Sequence, residues 1–246
     1  MIRSRRGLIT TGAIVFVFGV LILFPARVAV KWFVPAEIAI SDIHGSLWNG
    51  SAGEASLNGL YLRELSWTVL PLRLFTGKLS YAVAAKPVSG FIESEASISL
   101  GGKLSLSQLT AALPLEIFAI TSGIRGLQGS ASFKFDRVEI VDGLAIVADG
   151  VVQIANLVVP LLGRDSLGGY SADFRTQNNG IVASIEDTDG VVDLAGSLQI
   201  KTDRSFEFLS QVIVKPETPQ SIRQQLKLLP PPDERGQQEL RLEGVL

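Results

Sequence analysis

The chain has 246 residues, a formal net charge of −2, one histidine and no cysteine. A charge this small provides no general attraction to nucleic acid. Without cysteine there are no disulfide bonds, thiolate zinc sites or cysteine nucleophiles, and one histidine cannot form a two-histidine metal site. The sequence also lacks the motifs of phosphate-binding loops, dinucleotide-binding folds and hydrolase nucleophiles. We therefore expect no cofactor, no nucleic-acid partner and no enzymatic activity.

The first apolar segment covers residues 7–26 and contains no charged side chain. A helix of about 20 residues crosses a hydrocarbon layer of ~30 Å, so this segment is predicted to be a single transmembrane helix. Positive charge on its N-terminal side, including Arg5 and Arg6, places residues 1–6 in the cytoplasm and the remaining chain in the periplasm, at the inner membrane. The aromatic residues assigned to this anchor are Phe16, Phe18, Phe24 and Trp32, the last at headgroup depth.

A cleaved signal peptide and a buried core helix are the two alternatives for this segment. A signal peptide has a shorter apolar region, about 7–15 residues, followed by a small-x-small cleavage site. Here the apolar run is longer and Pro25 ends it. A core helix is disfavoured because no comparable helix is predicted in the rest of the chain. The pattern favours a retained anchor in contact with the lipid bilayer.

Beyond residue 35 the apolar residues recur with period two, which is typical of strands. Ile92, Ala96 and Ile98, for example, alternate with Glu93 and Glu95. Glycine and asparagine between such runs supply turns with positive φ. The fold class is therefore predicted as mainly β: a transmembrane helix followed by a curved antiparallel β-meander over 35–246.

Two short helices are predicted to interrupt the meander. The first covers 105–113, with leucines at helical spacing and a stop at Pro114. The second follows Thr218 as the N-cap residue, begins at Pro219 and ends before the prolines at 230–232. Residues 43–52 also resemble 124–131, which suggests two similar sub-units over about 35–115 and 123–246. Chance similarity of glycine-rich turns is the alternative.

Residues with catalytic or metal-binding potential are few, and each has a simpler interpretation. His44 lies beside a glycine turn, where a solvated histidine is expected. Glu93 and Glu95 share one strand face, but nothing nearby would desolvate them enough to raise a pKa. Asp187 and Asp189 flank a turn and fall far short of the six to eight oxygens that calcium takes.

Two tryptophan segments are the most distinctive motifs. Trp48 lies in Gly-Ser-Leu-Trp-Asn-Gly at 45–50, and Trp67 in Leu-Ser-Trp-Thr-Val-Leu-Pro-Leu at 65–72. Buried, these tryptophans would belong to the core; exposed, they would contact a partner or lipid. The candidate interaction or core residues are Gly45, Trp48, Gly50, Trp67 and Pro71.

The ordered set of anchor, 45–50 motif, 65–72 motif and a closing helix and strand resembles the protein N family of the type II (general) secretion system. The resemblance covers essentially the whole chain, although no tryptophan follows Trp67. It implies a non-enzymatic accessory or scaffold component at the inner membrane. Such a component would support export of folded periplasmic proteins across the outer membrane by binding other subunits of the system.

The resemblance also implies kinship with AsmA-like proteins, whose sheets form an apolar groove. An envelope protein that handles lipid in such a groove is the alternative function. A periplasmic hydrolase is a remote alternative, because no cluster of catalytic residues supports it.

Overall fold

The computed structural model describes residues 2–33, 38–57, 60–87, 89–99, 102–119, 123–141, 143–163, 165–178 and 180–245. Within these residues, thirteen strands form one sheet in which every strand pairs antiparallel with its neighbour in the chain. The mainly β meander predicted from the sequence is confirmed. The strands are β1 (Ile38–Gly45), β2 (Asn49–Leu57), β3 (Leu60–Val69), β4 (Leu79–Pro87), β5 (Phe91–Ile98), β6 (Leu104–Pro114), β7 (Gln128–Val141), β8 (Leu144–Val158), β9 (Tyr170–Gln177), β10 (Gly180–Asp187), β11 (Val192–Lys201), β12 (Ser205–Val214) and β13 (Gln237–Val245).

Among the residues that the structure describes, the helices are few and lie mostly at the ends of the chain. They are α1 (Ile2–Ile22), α2 (Ala26–Phe33) and α3 (Gln220–Leu226), with 3₁₀ turns at Pro71–Thr76 and Leu115–Phe118. A search of the described residues finds no helix with the length and apolar character needed to cross a membrane. The transmembrane span predicted over 7–26 is therefore not supported. The chain does leave α1 before Pro25, but it enters a second helix, α2, that the sequence reasoning missed.

The helix predicted for 105–113 is wrong, because these residues belong to β6. Gln108 has a positive φ of +52° and lies where the register between β6 and β5 shifts, and it is left unpaired with β7. As a result, Leu106 and Leu109 are opposite Val138 and Phe135, which belong to one apolar cluster. A bulge thus places residues three apart on the same strand face, and this spacing imitated a helix.

The helix predicted near the C-terminus is confirmed as α3. Its Ile222 is buried against Leu167, Val192 and Val212. The predicted N-cap is wrong in detail: Pro219 occupies that position, and no side chain caps the helix.

The apolar residues lie on one face of the sheet. Leu106, Val138 and Ala148 are paired across β6, β7 and β8, and the same strands pair Ala111, Phe133 and Val152. Three small clusters of buried residues lie along this face, around Phe135, Leu115 and Val192.

The sheet continues across the boundary between the two predicted sub-units. β6 pairs with β7 from Leu104 opposite Ile140 to Pro114 opposite Ser130. The division into sub-units over 35–115 and 123–246 stays a prediction.

Candidate functional site at the junction of the helices and the first hairpin

The first tryptophan motif forms the turn between β1 and β2. Ser46 donates its backbone N–H to the carbonyl of Asn49 at 2.8 Å, and its Oγ accepts the N–H groups of Trp48 and Asn49 at 3.3 and 3.2 Å. Gly45 has φ +84°, and a Cβ there would lie 2.5 Å from the Asn49 carbonyl oxygen. The glycine and the serine of the motif are therefore required by the turn itself.

The second tryptophan packs on this turn. Gly50 and Trp67 are directly opposite in β2 and β3, and a Cβ on Gly50 would lie 2.4 Å from Trp67 Cζ2. The Trp67 indole Nε1 donates a hydrogen bond to the Ser46 carbonyl at 3.2 Å. The two motifs, separated in sequence, thus form one packed unit.

Both tryptophans are half-buried, so neither is a fully exposed contact residue. The Trp48 carbonyl accepts the N–H of Val69 at 2.7 Å, which fixes the end of β3 to the turn. Pro71 is exposed and begins the following 3₁₀ turn. Among the motif residues, Gly45, Trp48, Gly50 and Trp67 come together, whereas Pro71 lies beyond the end of β3.

The same turn holds the N-terminal helices. Leu47 donates its N–H to the Phe24 carbonyl at 2.9 Å, and Pro25 forms a β-bridge with Ser46. Arg27 Nε donates to the carbonyl of Ile43 in β1 at 2.8 Å. From α2, Ala26 and Ala29 are 1% and 6% exposed. Main-chain contacts and small buried residues therefore fix residues 23–25, which join α1 to α2, and α2 itself to the first hairpin.

The aromatic residues predicted to form the anchor differ in exposure where their side chains are described. Phe16 is 72% exposed and Trp32 is 68% exposed, while Phe24 is half-buried. The Phe24 and Trp32 rings pack with centroids 5.8 Å apart and a tilt of 53°. The side chains of Arg5, Arg6 and Phe18 lie outside the described part of the structure.

The described residues offer little for catalysis. They contain no group of three or more His, Cys, Asp or Glu side chains that could hold a metal ion. His44 Nε2 lies 2.9 Å from Asp42 Oδ1, and both side chains are largely exposed. Glu95 forms an ion pair with Arg73 at 2.8 Å. Both contacts lie at the protein surface, where ion pairs contribute little to stability.

One carboxylate that the sequence reasoning missed is buried on the polar face of the sheet. Glu139 is 5% exposed and accepts hydrogen bonds from Lys103 Nζ at 2.9 Å and Arg137 Nη2 at 2.6 Å. The Lys103 hydrogen bond is the largest effect that holds the pKa of Glu139 below its usual value, and Arg137 adds to it. Lys103, just before β6, and Glu139 in β7 are 36 residues apart and meet only because these two strands pair, so no local motif could have revealed the contact.

A second missed network ties the sheet to the segment before α3. Asp187 Oδ2 binds Lys215 Nζ at 2.7 Å and its Oδ1 accepts the Leu194 N–H at 2.8 Å. Thr218 Oγ1 donates to the Val191 carbonyl at 2.6 Å and accepts the Lys215 N–H at 2.9 Å.

Tyr170 belongs to the same region and donates a hydrogen bond to the Leu167 carbonyl at 3.1 Å. Burial, with the nearby carboxylates of Asp187 and Asp189, raises the pKa of Tyr170 to about 12. Asp187, considered as a calcium ligand from the sequence, is thus engaged by a lysine and a backbone amide.

Comparison with known proteins agrees with this arrangement of motifs. The family profile described as type II secretion system (T2SS), protein N, matches residues 36–241. The chain is 24% identical to the type II secretion system protein N of Vibrio cholerae serotype O1, over 94% of this chain and 95% of that protein. No solved structure matches the chain. A match of this extent, which begins before β1 and ends within β13, shows that the chain belongs to the protein N family of the type II secretion system.

Proposed function

We propose that this chain is a non-enzymatic scaffold of the type II secretion system that is anchored at the inner membrane and exposes its sheet to the periplasm. In this proposal it supports export of folded periplasmic proteins by binding other subunits of the system. The observation that carries the proposal is the junction at 45–50. Its one turn binds both the segment that follows α1, at Phe24, and the second tryptophan motif, at Trp67. A junction fixed in this way sets the direction of the sheet relative to its anchor.

The case for an anchor comes from charge and exposure. Residues 7–26 carry no charge, and arginines precede them. Ile9, Val15, Phe16, Val17 and Leu23 expose about half or more of their surface, which is costly in water and favourable in lipid. In α2, Ala26 and Ala29 face the sheet while Trp32 and Lys31 are exposed. This leaves an aromatic and a cationic side chain for the headgroup region, where both are favoured.

The case for binding rather than catalysis comes from the sheet. It presents polar strand faces and an open edge at β13, which are surfaces for partner recognition. The hydrolase alternative gains no support from the described residues, whose carboxylates of lowered pKa are engaged in ion pairs or turns. An AsmA-like role with lipid in a groove would use the apolar face of the sheet. Family membership favours the secretion role over that alternative.

A secretion assay tests the function. We expect Trp67→Ala to loosen the junction and to leave exported enzymes in the periplasm instead of the medium. Tyr61→Ala is the matched control, because Tyr61 lies on the same strand but is 66% exposed. Normal secretion by a strain that lacks the whole gene would contradict the proposed role.

A topology assay tests the anchor separately. A reporter enzyme active only in the periplasm, fused after residue 245, should be active and should sediment with inner membranes. Release of a soluble periplasmic protein lacking residues 1–26 would contradict retention of the anchor.

A further inference from the structure

The two edges of the sheet differ in how well they are protected against pairing. In β1, Asp42 has φ +55° and is not paired with β2, although the register is the same at Ser41 and Ile43 on either side of it. Arg27 donates to the Ile43 carbonyl, and α2 lies against this strand. An irregular backbone, a charged side chain bonded to the edge and a neighbouring helix all block edge-to-edge pairing of sheets.

The opposite edge, β13, lacks such devices over its described residues. It pairs with β12 in unbroken register from Gln237 to Val245. Gln237 donates its N–H to Asp233 Oδ1 and accepts the Asp233 N–H on its carbonyl, which shows that its main-chain groups point away from β12. Because these groups alternate along an antiparallel strand, those of Glu239, Arg241 and Glu243 also point outward.

Apolar side chains on this edge are also exposed. Leu242 is 52% exposed and Val245 is 75% exposed, although β13 ends the sheet whose apolar face carries the core clusters. A further strand alongside β13 would bury both side chains and would use the outward N–H and C=O groups.

The charges on β13 favour a second copy of the same strand. Its polar face carries Glu239, Arg241 and Glu243 in alternation of sign, and within one chain Arg241 forms ion pairs with Glu207 and Glu243. A two-fold axis at Arg241 would place arginine opposite arginine and glutamate opposite glutamate, which is unfavourable. An axis at Leu240 would pair Arg241 with Glu239, but it would also pair Glu243 of one copy with Gln237 of the other. The main-chain N–H and C=O of Gln237 are already hydrogen-bonded to Asp233.

An axis at Leu242 meets all of these conditions. In each copy it places Arg241 opposite Glu243 of the other copy. It leaves the hydrogen bonds between Gln237 and Asp233 undisturbed. It also brings the two Leu242 side chains together in a non-hydrogen-bonded pair, where Cα atoms lie about 4.5 Å apart.

We propose that two copies of this chain associate through antiparallel pairing of their β13 strands, with the two-fold axis at Leu242. A two-fold interface closes on itself and gives a dimer, whereas pairing of β13 with the protected β1 edge of the next copy would give an open chain.

The natural absence of cysteine makes a cross-linking test direct. In the full chain, expressed in membranes, L242C should form a covalent dimer on mild oxidation, because a non-hydrogen-bonded pair meets disulfide geometry. L209C is the collision control, since Leu209 is 40% exposed but lies on the interior strand β12. We expect dimer from L242C at roughly tenfold the yield of L209C, reflecting the high effective concentration of a docked pair. Equal yields from the two variants would overturn the proposal.

Charge exchange then tests the register. On the L242C background, E243R alone places arginines opposite Arg241, and R241E alone places glutamates opposite Glu243. Each variant by itself should lose most of the cross-link, whereas differently tagged copies of the two, produced together, should restore it. Circular dichroism spectra and melting curves matching those of L242C verify folding. Failure of the mixed pair to exceed either single variant would refute this register.

Discussion

The indole ring of Trp67 lies against Gly50, where a Cβ would approach Trp67 Cζ2 to 2.4 Å. The same indole donates its N–H to the Ser46 carbonyl at 3.2 Å, so one side chain holds both the glycine and the turn. Since Leu47 in this turn binds Phe24, the contact extends from β3 to the N-terminal helices.

Gly50→Ala should therefore destabilise the sheet by about 1–3 kcal/mol, because the added methyl group displaces the tryptophan ring. Chemical denaturation followed by tryptophan fluorescence measures the change in the free energy of unfolding. Trp67→Phe removes the ring atoms that clash, so the alanine substitution should cost less on that background. Additive effects of Gly50→Ala and Trp67→Phe in the double-mutant cycle would show that the contact is not the cause.

The buried small residues of α2 should be as sensitive as the turn. Ala29→Leu adds bulk at a position that is 6% exposed and should push α2 away from the hairpin. We expect faster hydrogen exchange at the Leu47 amide, which donates to the Phe24 carbonyl. Lys31→Leu, at an exposed position of the same helix, is the control and should leave that amide protected. Unchanged exchange in the Ala29 variant would mean that α2 does not hold the turn.

Glu139 should make stability depend on pH. Its pKa is lowered in the folded protein, first by Lys103, so the unfolded chain binds this proton more readily. The stabilisation is therefore complete above the ordinary glutamate pKa of 4.5 and is lost as pH falls through the lower folded value. Glu139→Gln should cost about 1–2 kcal/mol at pH 7, and the difference from the natural protein should shrink below that range. A difference that stays constant from pH 7 to pH 3 in urea titrations would refute the assignment.

The hydroxyl group of Thr218 should matter more than the shape of its side chain. Thr218→Val keeps the volume but removes the bridge between the Lys215 amide and the Val191 carbonyl. We expect a loss of about 1–3 kcal/mol in the free energy of unfolding, since Thr218 is 4% exposed and its partners are left unsatisfied. Thr218→Ser retains the hydroxyl and should recover most of that loss. Equal melting temperatures for the valine and serine variants would argue against the bridge.

Local pattern was sufficient where period and turn chemistry agreed. Alternation predicted the meander, and Thr218-Pro219 located α3, because both signals arise within a few residues. At 105–113 the pattern misled, since a bulge at Gln108 gives a strand the spacing of a helix. Of the residues that meet at the junction, the sequence reasoning selected Gly45, Trp48, Gly50 and Trp67, but not Arg27 or Ala29. The packing of these last two depends on how the chain turns at Pro25.

By itself, the sequence determined the β class, the absence of cysteine and the motifs by which the family can be identified. These properties depend on composition and on order along the chain. Only the tertiary structure decided that the two tryptophan motifs form one unit, that Lys103 reaches Glu139, and that β1 is a protected edge while β13 is open. Each of these depends on strand register, which joins residues far apart in the chain and cannot be read from local periodicity.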